Sequence, residues 1–166
     1  MINETASELI SKGIAPWTLD TPYDYQLLQM KLQLAKEDAF CEAAKKLKGC
    51  EKVLIVCDRG MLDNKAYMTD GEFMRAILHF GKNEKQLTAE YFAVFHMESA
   101  AKSAFSYYTT KNNSSRTETP DEAVLLDDKT ILAWKNHPRH FIIKSRDDFN
   151  SKLNDLICKI EAVIDG

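Results

Sequence analysis

Asp58 and Arg59 stand side by side after the apolar run Val53-Leu54-Ile55-Val56-Cys57, and they are the residue types that handle a phosphate. A carboxylate can hold a divalent metal or its waters, and a guanidinium offers phosphate oxygens a planar fork of donors. The setting adds to the types. Ligands of open α/β sheets sit beyond the carboxyl ends of the strands, and a continuous β-branched run suits a strand buried on both faces of a parallel sheet. The plain alternative is that Asp58 caps the next segment and Arg59 is solvated. Gln26, Gln29, Gln33 and Glu37 recur every three or four residues and share a helical stripe, which is either a solvated face or a substrate-facing row. Lys111 and Arg116 lie in the polar stretch Tyr107 to Arg116, which reads as a loop able to fold down on an anion. His96 has no second His, Cys or carboxylate at ligand spacing and reads as a core or sheet-end histidine.

These residues need elements to position them. Ala6, Leu9 and Ile10 suit one or two helical turns ending at Gly13. Thr21 and Pro22 cap and open a long helix that Gly49 stops, with Leu28, Leu32, Ala35, Ala39 and Ala43 on one side and polar residues on the other. Val53 to Cys57 is the first expected strand. Asp70-Gly71-Glu72 starts a helix carrying Phe73, Ala76, Ile77 and Phe80, and Gly81 ends it. Phe92 to Met97 is a second strand. Thr119-Pro120-Asp121-Glu122 combines an N-cap, a first-turn proline and a capping box, and its helix must end near Asn136-His137-Pro138. His140 to Ile143 is a third strand, and a final amphipathic helix carries Phe149, Leu153, Leu156, Ile157, Ile160 and Ile164. Helices alternating with strands imply one α/β domain over residues 1–166, three-layered, with a parallel sheet.

Composition narrows the function. The 166 residues carry a formal charge of -3, and no run of Lys and Arg is interleaved with aromatics, so nothing suggests a nucleic-acid partner. Cys41, Cys50, Cys57 and Cys158 lack metal-ligand spacing and read as reduced and structural. No stretch is long and apolar enough for a transmembrane segment, and no signal peptide opens the chain. A soluble, cytoplasmic protein is expected.

Three segments together, Val53 to Tyr67, Tyr108 to Pro120 and Ala133 to Pro138, resemble the NadR-like AAA domain. That family of P-loop NTPases and kinases includes bacterial nicotinamide riboside kinase and the TRPL translocation defect protein. The resemblance implies a nucleotide-binding domain using Mg²⁺ and ATP or GTP, with phosphoryl transfer to a small nucleoside-like acceptor. It also implies roles. Asp58 is the acid near Mg²⁺, Arg59 faces phosphate or acceptor, and Arg116, with Lys111 beside it, neutralises charge on the transferred group. Glu4 matches the acid that accepts the proton of an acceptor hydroxyl, and Gln33 and Glu37 match acceptor contacts. After the last strand the family carries Asn or Asp, where this chain has Lys144-Ser145.

The phosphate cradle G-x-x-x-x-G-K-[ST] does not occur in this sequence; the only Gly-Lys, Gly81-Lys82, is followed by Asn83. The pattern is therefore that of the family without its first, P-loop strand. We expect the reading frame to begin upstream of Met1, with a degenerate paralogue as the alternative, and weak or no phosphoryl transfer by the polypeptide as written. A non-catalytic or nucleotide-regulated interaction module is the competing function. Oligomeric state is not legible.

Overall fold

The computed structural model describes residues 1–49, 51–102, 119–146 and 148–165. They form two compact units, Met1–Asn83 and Glu84–Gly166.

The first unit is helical. Helix α1 (Thr5–Ser11) ends where Gly13 takes φ 81°, and α2 (Pro22–Lys46) opens on Thr21, whose hydroxyl accepts from the Asp24 amide. A 3-10 helix (Met61–Tyr67) precedes α3 (Asp70–His79), where Thr69 and Glu72 complete a capping box and Gly81 turns the chain away at φ 65°. Tyr25, Met30, Met61, Leu62, Phe73 and Ile77 make the core.

Two expectations are corrected here. Val53 to Cys57 is not a buried strand: Leu54 is 63% exposed, and Val53 and Val56 are exposed too. Among the described residues the only pairing on this run is a parallel bridge at Ile2, whose N–H donates to the Val56 carbonyl at 2.8 Å and whose carbonyl accepts from the Asp58 amide at 2.8 Å. One paired residue cannot cover two faces of a strand. On α2 the sides are reversed, since Leu28, Ala35, Ala39 and Ala43 are exposed whereas Gln26 and Gln33 are buried. Gln29 and Gln33 turn inward to hydrogen-bond partners that the 3-10 helix supplies.

The second unit holds α4 (Glu84–Ala89), β1 (Val94–Met97), a 3-10 turn (Ala100–Lys102), α5 (Pro120–Ala133), β2 (His140–Ile143) and α6 (Phe149–Asp165). β1 and β2 pair in parallel, Val94 opposite His140 through Met97 opposite Ile143, and Phe95 stacks on Phe141. Helices with a parallel sheet are the α/β class that the alternation implies. Past the carboxyl end of β1, Asp127 of α5 accepts from the Ser99 amide at 2.9 Å and pairs with His96 at 3.0 Å and Lys102 at 2.7 Å. Burial alone would raise the Asp127 pKa, but the bonds from His96 and Lys102 outweigh it and hold the carboxyl down at about 2. His96 is thus a satisfied core histidine.

Candidate functional site

The site in the first unit grows from the inward stripe of α2. Gln29 Nε2 donates to Asn64 Oδ1 at 3.0 Å, and Asn64 Nδ2 donates to Gln33 Oε1 at 3.4 Å and to the Met61 carbonyl at 3.0 Å. Gln33 Nε2 in turn reaches Glu37 Oε1 at 2.9 Å and the Arg59 carbonyl at 3.3 Å. Gln33 and Glu37 therefore fix the backbone of Arg59. That backbone is unusual. Arg59 sits at φ 78°, the one non-glycine residue with positive φ among the described residues, in a region where a side chain with a Cβ is strained.

The geometry aims the guanidinium between two acids. Arg59 Nε donates to Glu4 Oε1 at 3.1 Å, and Nη1 lies 3.8 Å from Asp63 Oδ2. The Ser7 hydroxyl donates to the other Glu4 oxygen. Burial opposes the charge on Arg59, yet Asp63, Tyr67 and Glu4 outweigh it and raise its pKa above the ordinary value. Its side chain is still 43% exposed, so a ligand can reach it. Lys36 steadies the entry to α1 by donating to the Asn3 carbonyl at 2.8 Å and pairing with Glu8 at 2.9 Å.

Close to this cluster, Tyr25 Oη and Gln26 Oε1 are buried without a hydrogen-bond partner among the described residues. Burial, then the negative charge of Glu4 and the nearby Tyr67, push the Tyr25 hydroxyl up to about 12, so it remains a donor throughout the physiological range. Cys57 is held as a thiol as well, raised to about 11 by burial and then by Glu37 and Cys41.

Of the residues named from sequence, Glu4, Arg59, Gln33 and Glu37 come together, and Asp58 adjoins them with its side chain exposed. Lys111 and Arg116 lie outside the described residues. Sequence reasoning missed Asp63, Asn64, Tyr25 and Lys36. Asp63 stood four residues after Arg59, an ion-pair spacing that was open to view. Nothing local marked Asn64, whose role depends on a helix folded far away in sequence.

Among the described residues no three His, Cys, Asp or Glu side chains are gathered to hold a metal. Asp58 offers a lone exposed carboxylate, which suits Mg²⁺ because that ion keeps several waters and takes one or two carboxylates plus phosphates.

A family model for the AAA domain matches residues 1–152. The chain belongs to the AAA domain family. It is a nucleotide-binding, P-loop NTPase-like domain by that membership. No curated protein and no solved structure matches it. Among the described residues of this AAA domain, no helix is long and apolar enough to cross a membrane.

Proposed function

We propose that this AAA domain is of the NadR-like kind, a three-layer P-loop kinase fold that moves a phosphoryl group from ATP or GTP to a nucleoside-like acceptor. The observation that carries this reading is the strained Arg59, clamped between Glu4 and Asp63 with Asp58 beside it. Such a guanidinium is a charge already placed beside Asp58 and open to exchange Glu4 for an incoming phosphate, and charge at the transferred group is what phosphoryl transfer chiefly requires. A phosphate that draws Arg59 away would free Glu4 Oε1 to accept the acceptor's hydroxyl proton, while Ser7 keeps the carboxylate oriented. Asp58 would hold Mg²⁺ through its waters, and the bound ion would neutralise phosphate charge. Gln33 and Glu37 act by holding the Arg59 backbone and by facing the acceptor, and Arg116 and Lys111 would add charge to the phosphate side.

The test is calorimetric titration of Mg-ATP, Mg-GTP and a nucleoside panel into this chain and into the longest in-frame product of its gene. The longer product is expected to bind a Mg-nucleotide and phosphorylate a nucleoside, with Glu4→Gln lowering turnover by about 10²- to 10⁴-fold. Absence of Mg-nucleotide binding in both forms ends the proposal. The exposed Val53, Leu54 and Val56 favour a second reading, a non-catalytic interaction module, and that reading falls if Glu4→Gln abolishes turnover.

A further inference from the structure

A cleft of about 790 Å³ opens at the amino-terminal ends of β1 and β2, the end of a parallel sheet away from the one where α/β ligand sites form. Its volume is that of a small-molecule site, roughly 300 to 1,000 Å³. Its walls include Asn136 and Pro138, from the segment Ala133 to Pro138 to which the nucleotide reading gives no task. That segment is itself held in place behind the wall. Trp134 is 2% exposed and meets Tyr91 edge to face at 5.1 Å; His137 Nε2 donates to the Tyr91 carbonyl at 2.8 Å, and His137 Nδ1 accepts from the Arg139 amide at 3.1 Å. The Arg139 carbonyl then takes the Val94 amide at 2.9 Å and ties the wall to the sheet. The cleft is thus built before any ligand arrives.

Two features define what it would accept. Phe92 is 64% exposed and carries the Arg139 guanidinium 4.1 Å from its ring centroid, and Arg139 is itself exposed. Arg139, Lys85 and Glu84 line the cleft, two cations against one carboxylate, and neither cation makes an ion pair among the described residues. An aromatic wall with one more cation than carboxylate calls for a planar, singly anionic partner. A carboxylate matches the fork of Arg139 in shape, and a ring attached to it would lie along the guanidinium and phenyl planes.

We propose that this cleft binds a planar aromatic carboxylate, with Arg139 and Lys85 taking the carboxylate and Phe92 supporting the ring. All the residues lining the cleft belong to the second unit.

The test is a titration of the full chain with 1-naphthoate, followed by calorimetry and by Trp134 fluorescence, with 1-naphthalenemethanol and acetate as the neutral and non-aromatic comparisons. Naphthoate is expected to saturate, the alcohol to bind at least tenfold more weakly, and acetate not to bind. Arg139→Met, which keeps the chain's bulk on Phe92 and removes the fork, is expected to lose at least tenfold in affinity, and Lys85→Met a smaller factor. Circular dichroism establishes whether both variants are folded, and the affinity of Lys85→Met decides the matter if Arg139→Met is unfolded. No saturable naphthoate binding overturns the proposal. So does equal binding by the alcohol or acetate, or unchanged affinity in the folded variants.

Discussion

Arg59 concentrates most of what the first unit offers chemically, and its backbone says how firmly it is held. A left-handed conformation costs a side-chain-bearing residue about 1–2 kcal/mol, so φ 78° persists only because Gln33 binds the carbonyl and Glu4 and Asp63 bind the guanidinium. Removing the side chain in two ways separates these contributions. Arg59→Ala and Arg59→Gly both forfeit the two acidic partners, but only glycine accepts the backbone geometry without strain. We expect the glycine variant to be the more stable of the two by about 1 kcal/mol in urea unfolding. Equal midpoints would mean that the turn relaxes and that no strain is stored at the site. The buried amides follow a similar logic: Asn64 is 1% exposed and donates and accepts within one network, so truncating a partner leaves a desolvated group unmatched.

At the scale of elements, the clearest signals were those written in neighbouring residues. Thr119 illustrates this: its hydroxyl accepts from the Glu122 amide at 3.3 Å, and the Glu122 carboxylate accepts from the Thr119 amide at 2.8 Å. Both partners lie within four residues, and α5 begins where the capping box places it. Thr119→Ala should lower stability by about 1 kcal/mol in thermal or urea unfolding. Thr119→Ser should recover most of that loss, and an alanine variant as stable as the parent would show that α5 is fixed by packing alone. The cap of α2, the start of α3 at Asp70, the ends of α1 and α3 at glycine, and the bounds of β2 were legible for the same local reason. Burial was not. An apolar run such as Val53 to Cys57 states that it could be covered, but covering is done by neighbours, and here Ile2 supplies a single bridge. The α2 stripe failed in the opposite sense, because Gln33 reads as a surface residue until Asn64 and the Arg59 carbonyl provide partners from another element. Acids and a guanidinium of suitable type could be named from sequence, whereas the pairing of Glu4 with Arg59, fifty-five positions apart, had to be seen.

Over the whole molecule, the second unit carries the stronger dependence on acid. Asp127 is 8% exposed on its side chain and its folded pKa of about 2 lies below the ordinary 3.8, so the folded state binds fewer protons than the unfolded chain between those values. The sign follows from linkage: the stabilisation is complete above the unfolded pKa, disappears as pH falls toward 2, and amounts to about 2 kcal/mol. His140 acts in the same direction at milder pH. Burial, and then the proximity of His96 and His137, lower its pKa from 6.5, so the unfolded chain takes up a proton first as acidity rises. Trp134 is buried and Trp17 is 64% exposed, which makes tryptophan fluorescence chiefly a reporter of the second unit. Urea unfolding followed in this way should show Asp127→Asn less stable by about 2 kcal/mol at pH 7, with the two proteins converging as pH approaches 2. Convergence is the decisive result, because loss of packing alone would leave a gap that does not change with pH. A constant difference from pH 7 to 2 would therefore remove Asp127 as the carboxylate whose ionisation holds the end of β1, the 3-10 turn and α5 together.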